Sequence, residues 1–257
     1  MLNHEIGSVL NLKSKPSEIV AIQSEMYQTT QPQFASLKLP RVFTCLKRAL
    51  EDLGGLRSEG IFRVAGNFTE TQKMMEQLSR ADYSIQSSNP ITIASVLKKW
   101  VRDLNEPLIP PMYHDCCKKI SDDLLSDSLE SRRAAQRILL FEVFNELEPA
   151  SQLVIKGLVQ LFRDISCPTN IVTTKMTPES LGIVFSPSFV HEKCTDPGQV
   201  FVISRCGAAV ITSLMEVLDT SDYPGEEENI TKSPFIKPVA PITAWARGPM
   251  KPAMSLL

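Results

Sequence analysis

Arginine is permanently charged and planar, with donors spaced to grip a phosphate in two places. Arg63 stands in a setting built to present it, within Gly55-Leu56-Arg57-Ser58-Glu59-Gly60-Ile61-Phe62-Arg63-Val64-Ala65-Gly66. With Gly54, this stretch holds four of the chain's 11 glycines, so its backbone can turn tightly and approach other backbone closely. The apolar pair Ile61-Phe62 can pin the loop to a core while the next side chain, Arg63, points outward. Alone, such an arginine reads as a solvated surface charge. A second observation gives it company: Lys98 and Arg102 lie four apart in a helical pattern and so share one flank. A rigidly held arginine with two nearby cations suits the stabilisation of phosphate charge on another molecule.

The chain lacks the parts for chemistry of its own. There is no GxxxxGK[ST] phosphate loop, no nucleophile elbow, no kinase signature set and no HExxH. His4, His114 and His191 are scattered, and the six cysteines (Cys45, Cys116, Cys117, Cys167, Cys194 and Cys206) show no CxxC spacing. They read as reduced thiols of a cytosolic protein, without a metal or a cofactor. Asp122-Asp123 reads as a solvated helix end. A net charge of -2 gives no global attraction to nucleic acid. The opening residues lack a secretory signal, and no apolar stretch is expected to reach the roughly 18 residues of a membrane-spanning helix.

The elements that must position these residues are helical throughout. Helices are expected at Ser17–Met26 (with Ile19 and Ile22 inward), from Pro40 to Gly54, and from a Thr69/Gln72 capping box to about Arg80, burying Met75 and Leu78. Thr92–Leu104 follows, with Trp100 in its apolar stripe, then Met112–Leu125 and Leu129–Leu147. The helix opening at Pro149 is apolar nearly all round and is the expected core helix. Thr177-Pro178 opens a short helix that Ser186-Pro187-Ser188 breaks, and about Val200–Leu218 closes the fold. This gives an all-α domain of eight or nine helices over residues 5–219. Residues 220–257 carry six of the 18 prolines and the acidic run Glu226-Glu227-Glu228, and read as a disordered tail. Its Pro238-Val239-Ala240-Pro241 is a weak PxxP docking candidate.

Three ordered stretches resemble the Rho GTPase-activating (RhoGAP) domain family. The loop from Gly55 to Gly66 is similar to its arginine-finger loop. Leu97-Lys98-Lys99-Trp100-Val101-Arg102-Asp103-Leu104-Asn105-Glu106-Pro107-Leu108 resembles its LKxFLRELPEPL segment, and Lys175-Met176-Thr177-Pro178-Glu179-Ser180-Leu181-Gly182-Ile183-Val184-Phe185-Ser186-Pro187-Ser188 its KMTxxNLAxVFGPxL segment. Ile6-Gly7-Ser8-Val9-Leu10 is similar to a short FGxxL opening.

The resemblance implies a GTPase activator with no nucleotide site or cofactor of its own. Its partners would be Rho-, Rac- or Cdc42-type GTPases in the GTP-bound form, carrying their own GTP and magnesium. Arg63 matches the catalytic arginine. Lys98 and Arg102 match a basic pair that contacts the GTPase and braces the finger loop. Ser188 falls where several members carry an asparagine that touches the GTPase. A cytoplasmic protein, recruited to membranes through its GTPase, is the implied setting. A GAP-fold module that binds GTPases as a scaffold without accelerating hydrolysis is the alternative. The sequence departs from the family pattern at Ser188 and Ser180 in place of asparagines, Gly182 in place of alanine, and Asn105 in place of the first proline of LPEP.

Overall fold

A computed structural model describes residues 9–31, 36–190 and 196–224. Ile6–Ser8, His4, His191, Cys194 and the tail from residue 225, with its acidic run and PxxP, lie outside the described residues. Among the described residues there are ten α-helices and no strand: α1 (Pro16–Thr30), α2 (Arg41–Asp52), α3 (Phe68–Ser79), α4 (Pro90–Arg102), α5 (His114–Leu124), α6 (Leu129–Ile138), α7 (Pro149–Ser166), α8 (Pro168–Thr174), α9 (Pro178–Phe189) and α10 (Pro197–Val217). The tenth helix, relative to the expected eight or nine, is α8.

The core forms around α7, whose Val154, Ile155, Leu158, Val159, Leu161, Phe162 and Ile165 are fully buried. Gly157 lets α2 and the chain's exit close on it: a Cβ there would lie 2.6 Å from ring atoms of both Phe43 and Tyr223. Packing continues past the expected boundary at residue 220. Tyr223 sits edge-on to Phe43 at 6.5 Å, and Lys156 pairs with Asp222 at 2.6 Å. At the other end Leu10 is buried and its N–H bonds the Ser79 carbonyl at 2.7 Å.

Several boundaries differ from expectation. α3 begins at Phe68, because Asn67 Oδ1 accepts from the Glu70 N–H at 2.9 Å and caps the helix two residues before Thr69. The buried side is then Thr71, Met74 and Leu78, with Met75 only half-buried. On α1 the inward stripe is Ile19, Gln23 and Tyr27, while Ile22 is 40% exposed. Buried Gln23 is satisfied by accepting from the Arg41 N–H at 3.0 Å and donating to the Tyr83 hydroxyl. The expected Leu129–Leu147 helix gives way after Ile138 to a π turn, Leu139–Val143, and a 3-10 turn, Phe144–Glu146.

Pro187 does not break α9, which continues to Phe189. Proline removes one N–H near the helix end, where Ile183 and Pro187 both face out and water can serve the freed carbonyl. α10 also corrects an expectation: its 21 residues are long and apolar enough to cross a bilayer, because one arginine and several small polar residues are diluted over the window. Half of that window is buried inside the protein, principally against α9 and α5, as in a core helix.

Three departures from the family pattern have local reasons. Gly182 lies so close to α10 that a Cβ would sit 2.9 Å from the Ala208 carbonyl oxygen. Asn105 uses the N–H that a proline would lack, donating to the Lys13 carbonyl at 2.5 Å, while Trp100 Nε1 bonds the Leu12 carbonyl at 3.1 Å. Together they fasten the N-terminal segment to α4. Ser180 uses its hydroxyl at the start of α9, accepting from Thr177 Oγ1 at 3.1 Å while its N–H meets the same capping oxygen.

Candidate functional site

The glycine-rich loop runs from α2 to α3, and its order is set by backbone it could not reach without glycine. Gly54 turns left-handed (φ 72°) to end α2, and a Cβ on Gly55 would lie 2.7 Å from the Leu50 carbonyl oxygen. A 3-10 turn, Gly55–Arg57, follows. Gly60 is again left-handed (φ 67°) and donates its N–H to the Thr174 carbonyl at 2.8 Å. Thr174 ends α8 and is itself tied to α7, its buried hydroxyl donating to the Ile165 carbonyl at 3.1 Å. The helix that the sequence reading missed therefore anchors the loop to the core.

Beyond Gly60 the loop folds on itself. The N–H groups of Arg63 and Val64 both reach the Gly60 carbonyl, at 2.9 and 2.8 Å. Ile61 and Phe62 are buried at 0% and 1% exposure, as the apolar pair implied. The Phe62 ring stands edge-on to Phe185 of α9 at 4.8 Å and to Phe162 of α7 at 6.2 Å. Phe62 nevertheless has φ 66°, a left-handed conformation that costs an ordinary residue about 1–2 kcal/mol. The aromatic cluster and one further bond offset that strain: Lys98 Nζ donates to the Phe62 carbonyl at 2.6 Å.

The consequence for Arg63 is an exposed side chain on a fixed backbone. Its guanidinium lies over Gly60, with nitrogens 3.7 and 3.8 Å from where a Cβ would be. A Cβ at position 60 would touch the arginine at ordinary contact distance and crowd Val64, whose Cγ2 would be 2.7 Å away. On the far side of the loop, Gly66 donates its N–H to Ser95 Oγ at 2.8 Å, and a Cβ there would be 2.6 Å from Thr92 Cα. α4 thus holds the loop through Lys98, Ser95 and, at the Asn67 N–H, Thr92 Oγ1.

Lys98 is half-buried. Burial, and after it the Arg102 charge, hold its pKa below the ordinary lysine value. Arg102, one turn on, is exposed and pairs with its neighbour Asp103 at 3.4 Å. Asp103 also takes Lys99 Nζ at 2.5 Å. The structure therefore brings Lys98 and Arg63 to one loop, and leaves Arg102 on the adjoining flank. Ser188 is placed differently: it is 2% exposed, on the last turn of α9, and its side chain is not on the surface that carries Arg63. Lys175, after α8, is exposed and left-handed (φ 56°) next to the anchoring Thr174. The sequence reading gave Lys175 no site role, and only its place at the head of the KMT stretch pointed to it.

The arrangement offers a movable guanidinium on an immobile backbone, with exposed Arg57, Arg102 and Lys175 in the same stretches. It can place positive charge into a site that belongs to another molecule. Among the described residues no group of three or more His, Cys, Asp or Glu side chains could hold a metal ion. His114 is a buried structural residue whose Nε2 meets the Ile109 carbonyl at 2.9 Å.

Comparison with known proteins gives a consistent result. A family model for the RhoGAP domain matches residues 40–194. The chain is 29% identical over 197 residues to "GTPase activating protein homolog 3" of Dictyostelium discoideum, covering 76% of this chain and 13% of that protein. It is 29% identical over 168 residues to "Rho GTPase-activating protein gacA" of the same organism, covering 65% and 45%. The chain thus spans less than half the length of these curated relatives. Among solved structures, human Rho GTPase activating protein 15 superposes with a TM-score of 0.61 over 83% of this chain and 92% of that chain, at 19% identity. The BH domain from GRAF gives 0.56 over 68% and 91%, at 22% identity. At such identities the likeness is one of fold.

Proposed function

The chain belongs to the RhoGAP domain family, and on that premise we propose that it accelerates GTP hydrolysis on Rho-family GTPases by lending them Arg63. As the γ-phosphoryl group transfers to water, negative charge redistributes over its oxygens and the bridging oxygen. A guanidinium placed there stabilises the transition state more than the bound GTP, which is the condition for raising a rate. An arginine supplied in trans is worth roughly 10³- to 10⁵-fold, or about 4–7 kcal/mol of barrier. The GTPase contributes the nucleotide, its magnesium and the glutamine that orients the attacking water. This chain contributes charge and position.

One observation carries the reading. Arg63 is exposed while the residue before it is buried, strained and strapped by Lys98 Nζ at 2.6 Å. Strain held at one backbone position beside an exposed cation is what a presented side chain requires, whereas a solvated surface charge requires none of it. Arg102 and Lys175 extend the positive surface toward an acidic, GTP-loaded partner. Ser188 makes no direct contact in this reading.

The test is single-turnover phosphate release from GTP-loaded Rho-, Rac- and Cdc42-type GTPases, with wild type and Arg63→Ala. The expected loss in maximal accelerated rate is roughly a hundredfold or more, with binding to the GTP-loaded form largely kept. Equal rates would refute the finger and leave the scaffold alternative standing.

A further inference from the structure

Two large apolar side chains flank Arg63 without being covered by the rest of the protein. Val64 is 50% exposed, and Phe68, the first residue of α3, is 75% exposed. Neither sits on loose chain. The Val64 N–H bonds the Gly60 carbonyl at 2.8 Å, Gly66 is fastened to Ser95, and the Asn67 N–H meets Thr92 Oγ1 at 3.4 Å. Asn67 then caps the helix that Phe68 opens.

The place of Phe68 on α3 explains its exposure. Positions 71, 74 and 78 form the buried stripe of α3, through Thr71, Met74 and Leu78. Phe68 lies at the edge of this stripe, on the side of half-buried Met75, and in the helix's first turn, where the rest of the protein leaves it uncovered. Helical Cα–Cβ bonds tilt toward the N-terminus, so its ring leans off the end of α3 that carries the finger loop. An exposed aromatic on a rigid backbone is typical of a binding anchor, since little side-chain entropy is lost when it is covered.

We propose that Phe68, with Val64, is the apolar docking anchor for the same GTPase that receives Arg63. The proposal rests on the finger reading and adds to it a partner surface of stated chemistry: an apolar depression beside the nucleotide site. Geometry commits the occupant. Five residues of chain span at most about 17 Å, whereas a standard protein–protein contact covers roughly 800 Å² on each partner, about 32 Å across as a disc. The chain between them is turned rather than extended, the Arg63 and Val64 N–H groups both folding back on the Gly60 carbonyl. Phe68 therefore falls inside the radius of about 16 Å that a contact centred on Arg63 reaches. The two residues divide the work. Arg63 acts on the transition state alone, while Phe68 contributes equally before and during reaction, so it sets the half-saturating concentration.

Full-chain Phe68→Ser, Phe68→Leu and Arg63→Ala are compared in single-turnover phosphate release, titrated against each GTP-loaded GTPase, with thermal melts alongside. Phe68→Ser is expected to raise the half-saturating concentration at least tenfold on the responsive GTPase, with a far smaller change in maximal rate. Phe68→Leu should recover most of that loss, and neither should lower the melting temperature. If Arg63→Ala lowers the maximal rate but Phe68→Ser leaves the half-saturating concentration within twofold, the anchor is refuted and the finger stands. A Phe68→Ser effect confined to maximal rate also overturns the anchor. An inert Arg63→Ala removes both.

Discussion

Lys98→Met is the substitution that separates a presented arginine from one that is merely exposed. Methionine keeps the length and the apolar stem and removes only the ammonium, which donates at 2.6 Å to the carbonyl of a residue held at φ 66°. A hydrogen bond from a charged donor is worth about 1.5–3 kcal/mol. The left-handed turn at Phe62 costs about 1–2 kcal/mol on its own, so the lost bond is comparable to the strain it opposes. The loop can then relax, and the fraction presenting Arg63 correctly falls. If the whole loss appears as misplacement, the maximal accelerated rate drops roughly 10- to 150-fold, at 1.4 kcal/mol per factor of ten. Stability should change less, because burial disfavours the ammonium in the native state, the direction in which its pKa is displaced. Single-turnover phosphate release gives the rate, and urea unfolding gives the stability. A variant with wild-type maximal rate and intact folding would refute the strap, whatever Arg63 itself does.

Two further outcomes follow from the packing. Gly66→Ala must move α4 backbone, since its methyl would lie 2.6 Å from Thr92 Cα and 3.0 Å from the Ile91 carbonyl oxygen. It should cost about 1–3 kcal/mol, read as a lower urea midpoint at unchanged slope; an unchanged midpoint would contradict the close approach. The thiols should label in order. The Thr169 hydroxyl holds the Cys167 pKa below the ordinary value of 9.0, whereas burial pushes Cys117 up to about 12. Thiolate forms as pH rises through each pKa, so at about pH 8 Cys167 is richer in thiolate than a free cysteine and Cys117 has almost none. Alkylation with peptide mapping should modify Cys167 well before Cys117, and Cys117 only on unfolding. Equal rates would show that α5 does not shield Cys117.

Much of this arrangement was legible in the sequence because its causes are local. The glycines of the finger loop are demanded by φ values of 72° and 67° and by contacts no Cβ could tolerate, and glycine spacing shows that without coordinates. The stripes of α2, α4 and α7 repeat at helical spacing, and Thr177-Pro178 caps and opens α9 as written. What was hidden depends on partners distant in sequence. α8 is seven residues with no room for a periodic stripe, and all but Asn170 are β-branched or proline, so propensity argued against it. Its worth lies in one carbonyl, that of Thr174, offered to Gly60. Gln23 reads as surface until Arg41 and Tyr83 are placed beside it. Ser188 reads as a turn until α9 carries through Pro187 and turns its side chain inward. Phe68 stands before the expected Thr69 start, and joins α3 only once Asn67 is seen to cap the helix.

The pattern of what is fixed and what is free supports catalysis by loan. An unordered loop of ten residues would lose about 1–2 kcal/mol of backbone entropy for each residue on docking, more than an arginine's electrostatic contribution could offset. Here that ordering is completed within the folded chain, by two glycine turns, an aromatic cluster and bonds to α4 and α8. Only the Arg63 side chain remains to be ordered, at about 2 kcal/mol. Its guanidinium rests exposed over Gly60, so moving into a partner's site breaks none of the backbone bonds that hold the loop. Binding energy from the proposed apolar anchor, Phe68, then goes to association with the partner rather than to building the loop that carries the guanidinium.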